Sequence, residues 1–315
     1  MSYVGPDFDP QPPRRPRRRP LTVALVALVP GALLGWGAYA AFGGSDDGGG
    51  SSDKAAVGTP TASARTTDSE RPSETPTEEP TSSPSTEPAA TGPLAGKVVV
   101  IDPGHNPGNF QHASEINRKV DIGTGMKECD TTGTATNSGY READFTLDVA
   151  HRMRTLLEKQ GATVELTHDG DRSYGPCIDE RARIGNKAEA DAVVSLHADG
   201  AGSGNRGFHV ILPGAVNSGA ADTRPIVAPS KNLGERIAGA FVRVTGSAPS
   251  NYVGGGTGLV TRKDLGGLNL STVPKVFIEC GNMRDSKDAA QLTSETWRQK
   301  AAQGIAEGIA GFLEK

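Results

Sequence analysis

The 315-residue chain is short of cysteine, of aromatic side chains and of net charge. Its three cysteines are too few for a scaffold built on disulfides. Aromatic residues make up 5% and hydrophobic residues 35% of the chain, which is low for a globular protein of this length. A formal net charge of −4 lacks the basic excess of a nucleic-acid-binding protein, so we expect no nucleic-acid partner.

One segment, residues 43–93, accounts for much of the low hydrophobic fraction. The only apolar side chain there that is larger than alanine belongs to Val57. From Pro72 to Pro88, proline recurs at every fourth position, which favours an extended backbone. A segment with so little to bury cannot offset the entropy of folding. We therefore predict a disordered linker rich in Pro, Ser, Thr and Gly.

Residues 21–42 form an uncharged, mostly apolar run that is long enough to cross a bilayer as a helix. The arginine-rich residues 1–20 before it predict a cytoplasmic N-terminus by the positive-inside rule, with everything after the helix exported. We therefore expect a single-pass signal anchor. A cleaved signal peptide remains open, because Ala38-Tyr39-Ala40 has the small-x-small form of a cleavage site, and the protein would then be secreted.

Residues 94–315 hold most of the remaining apolar residues and are long enough for one sizeable core. Strands are predicted over 97–101, 162–167, 192–197, 208–212, 258–261 and 275–279, with helices over 143–160, 178–190, 231–244 and 286–313, the last as one broken helix or two. Residues 110–139 are predicted to form a long loop. Alternating strands and helices indicate an α/β fold with a largely parallel central sheet flanked by helices. Ligands of such sheets collect at the carboxyl ends of the strands.

Three predicted strands end in a side chain that can bind a metal ion or move a proton. These residues are His105, His197 and Glu279, and Glu142 is a fourth candidate at the start of the first long helix. Two neutral imidazoles and one carboxylate are a common catalytic zinc shell, with a fourth position left open. A second carboxylate can then move a proton from water to a leaving nitrogen, as the hydrolysis of an amide requires.

Each of these residues also has a purely structural interpretation. A single histidine at a strand end is usually a hydrogen-bonded structural residue, and an acidic residue at a helix start usually complements the helix dipole. Glu279 fits that interpretation poorly, because an unpaired carboxylate in a buried strand is costly. The combination favours a metal site, although the short motif H-E-x-x-H is absent from the sequence.

The residues around these positions make the domain recognisable, because six motifs occur in family order. They are I-D-P-G-H (101–105), R-E (141–142), E-R-A-R-I-G-N-K-A-E-A-D (180–191), S-L-H-A-D (195–199), R-K-D-L-G-G-L-N (262–269) and V-P-K-V-F-I-E-C-G (273–281). From about Gly96 to Leu313 the chain resembles the zinc-dependent N-acetylmuramoyl-L-alanine amidases of the amidase-3 family, including their actinobacterial members.

The resemblance implies a six-stranded sheet flanked by helices. It also implies hydrolysis of the amide between the lactyl group of N-acetylmuramic acid and L-alanine of the peptidoglycan stem peptide, in cell-wall remodelling. It assigns His105, Glu142 and His197 as ligands of Zn²⁺ and Glu279 as the catalytic carboxylate. Peptidoglycan or a muropeptide would be the substrate, met in the cell-wall space outside the membrane. Two alternatives stay open: a zinc carboxypeptidase acting on stem peptides, and a catalytically inactive wall-binding module.

The sequence departs from the family pattern at two places. Asn106-Pro107-Gly108 follows His105 where Gly-Gly is commoner, and the phenylalanine often found after Gly281 is missing. Neither departure touches an assigned ligand, so we expect any effect in the substrate groove.

The resemblance also bears on the cysteines. A similar loop in actinobacterial relatives favours an intrachain disulfide between Cys129 and Cys177, which export to oxidising surroundings allows. Cys280 is expected to be a small buried apolar residue. We expect a monomer.

Several other polar residues have weaker assignments. Asp102 and Asp199 are candidates to support the metal ligands, with a capping role as the alternative. Arg262, Asp264 and Asn269 are expected either to line the substrate groove or to form surface salt bridges. The remaining histidines are expected to be structural or exposed, namely His112, His151, His168 and His209.

Overall fold

The computed structural model describes residues 91–314, and within that range the chain forms ten strands and seven α-helices. In chain order these are β1 (Val98–Pro103), α1 (Ala113–Ile116), β2 (Lys119–Asp121), β3 (Met126–Glu128), α2 (Glu142–Glu158), β4 (Thr163–Leu166), α3 (Ile178–Lys187), β5 (Ala192–Asp199), β6 (His209–Pro213), β7 (Asn217–Ser218), β8 (Ala221–Asp222), α4 (Val227–Thr245), β9 (Leu259–Arg262), α5 (Gly266–Asn269), β10 (Lys275–Asn282), α6 (Ser286–Leu292) and α7 (Glu295–Leu313).

Six of the strands build one central sheet in the order β4–β1–β5–β10–β6–β9. Every neighbouring pair is parallel except β10 and β6, which are antiparallel. The predicted α/β fold with a largely parallel, six-stranded sheet is therefore confirmed. Each predicted strand and helix is present, and the region 286–313 forms two helices, α6 and α7.

One helix begins earlier than the sequence indicated. The prediction started α4 at residue 231, after Pro229, whereas the helix runs from Val227 to Thr245. Proline is tolerated there because it falls in the first turn, where the backbone N–H has no partner within the helix. The helix ends at Thr245 and is capped by Gly246, whose φ of 70° is the left-handed conformation that glycine adopts without strain.

One face of the central sheet is apolar and forms the main core. Because side chains alternate along a strand, every second residue of β1, β5, β6 and β10 points to this face. The set includes Val99, Ile101, Val194, Leu196, Val210, Leu212, Val276 and Ile278, and all of them are buried. Helices α2 and α4 pack on this face, and α7 packs against both helices.

The opposite face mixes apolar and charged side chains. Helix α3 covers its β1–β5 half, over a small cluster built around Val100 and Val193. Beyond that cluster lie Asp102 and Lys275, both buried, in spite of their charges, in the interior of the domain. Helix α5 packs against α3 at this point. This face of the sheet carries the candidate site.

The predicted long loop at 110–139 contains local structure. It holds α1 and the hairpin formed by β2 and β3. A disulfide joins Cys129, at the end of the hairpin, to Cys177, the residue before α3, so the predicted pairing is confirmed. Cys280 is buried and free, also as predicted.

The predicted N-terminus at 1–20 and signal anchor at 21–42 lie outside the described residues, as does the linker up to residue 90. Between residues 91 and 314, no helix has the length and apolar character that a bilayer-spanning segment needs.

Candidate metal centre

Three side chains singled out from the sequence converge beside the sheet. Potential ligand atoms of His105, Glu142 and His197 all lie within 4.8 Å of one another. Glu142 Oε1 is 3.2 Å from His105 Nε2 and 3.0 Å from His197 Nδ1. The two imidazole rings meet edge to face, with their centroids 5.0 Å apart. Two nitrogen donors and one carboxylate oxygen therefore face a common point.

The chain positions these three candidate ligands by three different local structures. His105 follows β1 in a left-handed conformation, with φ of 63°, which is strained for a residue with a side chain. Glu142 is the first residue of α2, a helix anchored in the core by Phe145, Val149 and other residues at helical spacing. His197 lies within β5, two residues before its end.

The carboxylate of Glu142 is oriented by backbone amides. Thr134 N–H donates to Oε2 at 2.9 Å, and Ala198 N–H donates to Oε1 at 3.1 Å. Gly133 lies so close that a Cβ atom there would be 2.9 Å from Glu142 Oε2 and 2.7 Å from His105 Cδ2. Only glycine fits at that position, so the loop before α2 closes over the ligands.

Electrostatics couples the three groups. Burial alone would lower the pKa of His105, but the carboxylates of Glu142 and Asp130 raise that pKa to about 10. Burial would likewise raise the pKa of Glu142, yet the neighbouring histidines hold it well below its usual range. Glu142 is therefore an ionised carboxylate at neutral pH, the form that a metal ligand requires, whereas His105 would release a proton on binding a metal ion.

Glu279 lies beside this cluster without joining it. In the sheet register it pairs with His197 on β5 and with His209 on β6. Its Oε2 atom is buried and has no hydrogen-bond partner among residues 91–314. Burial and the negative charges of Glu142 and Asp199 raise the pKa of Glu279 well above its usual range. Burying a carboxyl without a partner costs folding free energy, and such a group is typical of a functional site.

Two cavities meet at the ligands. One, of about 290 Å³, contains Glu279, Glu142 and Arg262. The other, of about 250 Å³, extends between the β2–β3 hairpin and α5. They share a common wall formed by His105, Thr131, His197, Leu265 and Phe277. Both cavities therefore open beside His105 and His197.

The predicted groove residues divide into two groups. Arg262 and Asp264 line the cavities and also pair with each other through two hydrogen bonds of 2.9 and 2.6 Å. Asn269 has neither predicted role, because it is buried and donates to Thr124 Oγ1 and to the Lys263 carbonyl. It holds the turn before α5.

The other predicted residues lie as follows. Asp199 accepts a hydrogen bond of 2.7 Å from the Tyr252 hydroxyl, and Asp102 belongs to a buried group of charges beneath the ligands. The remaining histidines stand apart from the three ligands and contact Glu115 (His112), Asp169 (His151), the Pro103 carbonyl (His168) and Tyr252 (His209).

Sequence reasoning did not identify Arg181, Ser195 and Lys275 as parts of this site. All three are buried around Asp102. The available signal was the lysine inside the apolar run V-P-K-V-F-I, because lysine is almost never fully buried without a partner.

The chain is similar to proteins of known activity along the whole described domain. Residues 99–311 match the family model Amidase_3, described as N-acetylmuramoyl-L-alanine amidase. The chain is 41% identical to the N-acetylmuramoyl-L-alanine amidase Rv3717 of Mycobacterium tuberculosis, across 70% of this chain and 88% of that protein.

Two solved structures share the fold. The amidase Ami1 of Mycobacterium smegmatis superposes with a TM-score of 0.64 at 38% identity, covering 71% of this chain and 99% of that one. Ami1 of Mycobacterium abscessus gives a TM-score of 0.62 at 41% identity, covering 70% and 100%.

Proposed function

The chain belongs to the Amidase_3 family of N-acetylmuramoyl-L-alanine amidases, and from this premise we propose that it works with a zinc ion held by His105, Glu142 and His197. Its reaction is the hydrolysis of the amide between N-acetylmuramic acid and the L-alanine of the peptidoglycan stem peptide. Within that reaction we assign proton transfer to Glu279.

The observation that supports the zinc assignment is the convergence of three donors, a buried Glu142 and the partly buried His105 and His197, next to one unpartnered carboxyl. The donor set of two imidazole nitrogens and one carboxylate oxygen is a common catalytic zinc shell. When bound, zinc supplies Lewis-acid polarisation of the scissile carbonyl and makes a water molecule more acidic. The buried Oε2 of Glu279 has no partner among the described residues, which suits a group whose partners arrive with substrate and water.

The raised pKa of Glu279 suits its proposed role. An ordinary carboxyl group is too acidic to protonate an amine efficiently near neutral pH, whereas a carboxyl with a raised pKa can both accept and return a proton there. Glu279 would take a proton from the attacking water and deliver it to the departing nitrogen of L-alanine. Both transfers use one carboxyl in the cavity that Glu142 and Arg262 also line.

The test combines metal content with product analysis. The full chain is stripped with a chelator, assayed on a muropeptide, reloaded with Zn²⁺ and assayed again, with mass spectrometry of the products. We expect loss and recovery of activity and the release of an intact stem peptide. Release of a single terminal residue would point instead to a carboxypeptidase, and no metal-dependent turnover would point to an inactive wall-binding module.

Two histidine variants provide the matched comparison. His197→Ala should lose both bound zinc and turnover. His151→Ala should retain both, because His151 pairs with Asp169 away from the ligands and its side chain is 40% exposed. Equal zinc content in the two variants would contradict the ligand assignment.

We further propose that the domain acts outside the membrane, tethered through residues 21–42 or secreted after their removal. The Cys129–Cys177 disulfide supports export, because disulfides persist in oxidising compartments. N-terminal sequencing of the membrane and soluble fractions distinguishes the two forms, and recovery of the full chain from the cytoplasm alone would contradict both.

A further inference from the structure

The second ring nitrogen of His197 contacts a buried serine. Its Nδ1 faces Glu142, while its Nε2 lies 3.3 Å from Ser195 Oγ, on the same face of β5. Among residues 91–314, Ser195 Oγ is the one hydrogen-bond partner of His197 Nε2. The position of the proton on that contact determines which nitrogen of His197 is free to bind a metal, because a neutral imidazole carries one proton.

The hydrogen-bond donors around Asp102 determine where the serine proton lies. Asp102 Oδ1 accepts from Thr167 and from Arg181, each at 2.8 Å. Its Oδ2 accepts from Ser195 at 2.8 Å and from Lys275 at 3.1 Å. These four donors match the roughly four lone-pair sites of an ionised carboxylate, which has no proton of its own to donate.

The charge on Asp102 is fixed by two buried cations. Burial would raise the pKa of Asp102, but the Lys275 ammonium and the Arg181 guanidinium together hold it well below its usual range. The serine hydroxyl must therefore donate to Asp102. The lone pairs of Ser195 Oγ remain, and they can only accept the Nε2–H of His197.

From this geometry we propose that Ser195 is a positioning residue, which is fixed by Asp102, accepts the Nε2–H of His197 and presents Nδ1 of His197 as an unprotonated donor to the metal site. The proposal rests on the zinc site proposed above. Groups that hold the second nitrogen of a metal-binding histidine typically change metal affinity by about 10- to 100-fold when they are removed.

His105 shows the contrast that makes Ser195 critical. Its Nδ1 has three acceptors within reach: the Thr131 carbonyl at 3.1 Å, Thr131 Oγ1 at 3.2 Å and Asp130 at 3.4 Å. Removal of any one side chain leaves the Thr131 carbonyl in place. The tautomer of His105 is therefore held redundantly, whereas that of His197 depends on one hydroxyl group.

The experiment compares two buried hydroxyl groups that both donate to Asp102. Ser195→Ala removes the link to His197, whereas Thr167→Val removes an equivalent bond to Asp102 with no link to His197. Zinc affinity of the full chain is measured by competition with a chromogenic chelator. We expect Ser195→Ala to bind zinc about 10- to 100-fold more weakly, Thr167→Val to lose much less affinity, and Ser195→Thr, which keeps the hydroxyl, to recover most of it.

The outcomes separate this proposal from the one on which it rests. If the wild-type chain binds no zinc, the proposed metal site fails. If it binds zinc and Ser195→Ala binds it equally well, or if Ser195→Ala and Thr167→Val weaken it equally, the role of Ser195 is wrong.

A spectroscopic measurement covers the case in which Ser195→Ala does not fold. The ¹⁵N spectrum of histidine-labelled, zinc-loaded wild-type chain should show His197 protonated on Nε2, with the resonance assigned by correlating the ring with its own backbone amide. A proton on Nδ1 would overturn the proposal.

Discussion

The two faces of the central sheet are made from the same strands and have opposite chemistry. On β1, Ile101 enters the apolar core while Asp102 points to the other face. On β10, Ile278 is part of the core while Glu279 lines the cavity that His105, Glu142 and His197 also line. One face stabilises the fold by burying hydrocarbon, and this hydrophobic stabilisation does not depend on the orientation of the side chains. The other face holds charged groups whose interactions depend on their exact positions. The packed apolar face therefore acts as a rigid support for the charged one.

The charges of the second face are expensive to bury. Lys275 and Asp102 are each only 1% exposed, and removing two such charges from water costs several kcal/mol per ion. Arg181 adds a second cation that bridges Asp102 and Asp130. A buried ion pair of this type is weak evidence for stability. Ser195 connects this cluster to His197, so we expect it to act on the geometry of the candidate site.

The largest difference in mutational effect between the two faces should be seen at two adjacent residues of β10. Glu279→Gln should lower kcat by about 100- to 10,000-fold, because the amide cannot take up the proton, while bound zinc is retained. Ile278→Val, on the apolar face, should cost about 0.5–1.5 kcal/mol of unfolding free energy and leave kcat nearly unchanged. Steady-state kinetics on a muropeptide, metal analysis and urea unfolding measure these effects. Substantial turnover by Glu279→Gln would remove it from the mechanism.

The next largest effect should be a loss of stability of similar size for one variant in the charged cluster and one in the apolar core. Lys275→Met leaves a buried carboxylate short of a partner and should cost about 3–5 kcal/mol of unfolding free energy. Ile305→Ala, in the apolar core, should cost about 2–5 kcal/mol by opening a cavity. Urea unfolding at neutral pH provides both values. A neutral effect of Lys275→Met would mean that Arg181 alone satisfies Asp102.

The pH dependence should then separate the two variants. The folded-state pKa of Asp102 is depressed, so its contribution to stability is present above the unfolded value of 3.8 and is lost as pH falls below it. Without the Lys275 ammonium this pKa rises, so Lys275→Met loses less stability on acidification than wild type does. The stability deficit of Lys275→Met should therefore shrink towards pH 3, while that of Ile305→Ala stays constant. A parallel decline of all three proteins would contradict the assigned role of Lys275.

The sequence was sufficient to predict the buried strands and to single out the residues that converge at the candidate site. Continuous apolar runs along β1 and β10 predict buried strands, and His105, His197 and Glu279 each stand out after an apolar run. Their location was only partly predictable. The sequence indicated the carboxyl ends of the strands, but His197 and Glu279 lie within β5 and β10 and project from the face of the sheet.

The charge cluster could not be predicted because it depends on register. Asp102 pairs with Ser195 across β1 and β5, and Ser195 pairs with Phe277 across β5 and β10. This register brings Lys275 Nζ to Asp102, 173 residues away along the chain. Local periodicity carries no information about which strands are neighbours. Asn269 was expected either in the groove or in a surface salt bridge, and it is instead buried and donates to Thr124 Oγ1, 145 residues away along the chain.

The smallest effect is expected from two arginine–aspartate pairs that look alike in sequence. Arg262 and Asp264 are two residues apart, as are Arg224 and Asp222, and both arginines make paired hydrogen bonds to their aspartates. Exposed pairs of this kind contribute little to stability, so Arg262→Ala and Arg224→Ala should both leave Tm nearly unchanged.

Only Arg262 lines the cavity that holds Glu279. We therefore expect its guanidinium to contact a carboxylate of the stem peptide, since arginine recognises carboxylates through paired donors. Arg262→Ala should raise KM on a muropeptide severalfold with a smaller change in kcat, while Arg224→Ala should change neither. If the two variants have equal KM values, Arg262 and Asp264 form an ordinary surface salt bridge, as Arg224 and Asp222 do. Arg262 would then have no part in substrate binding.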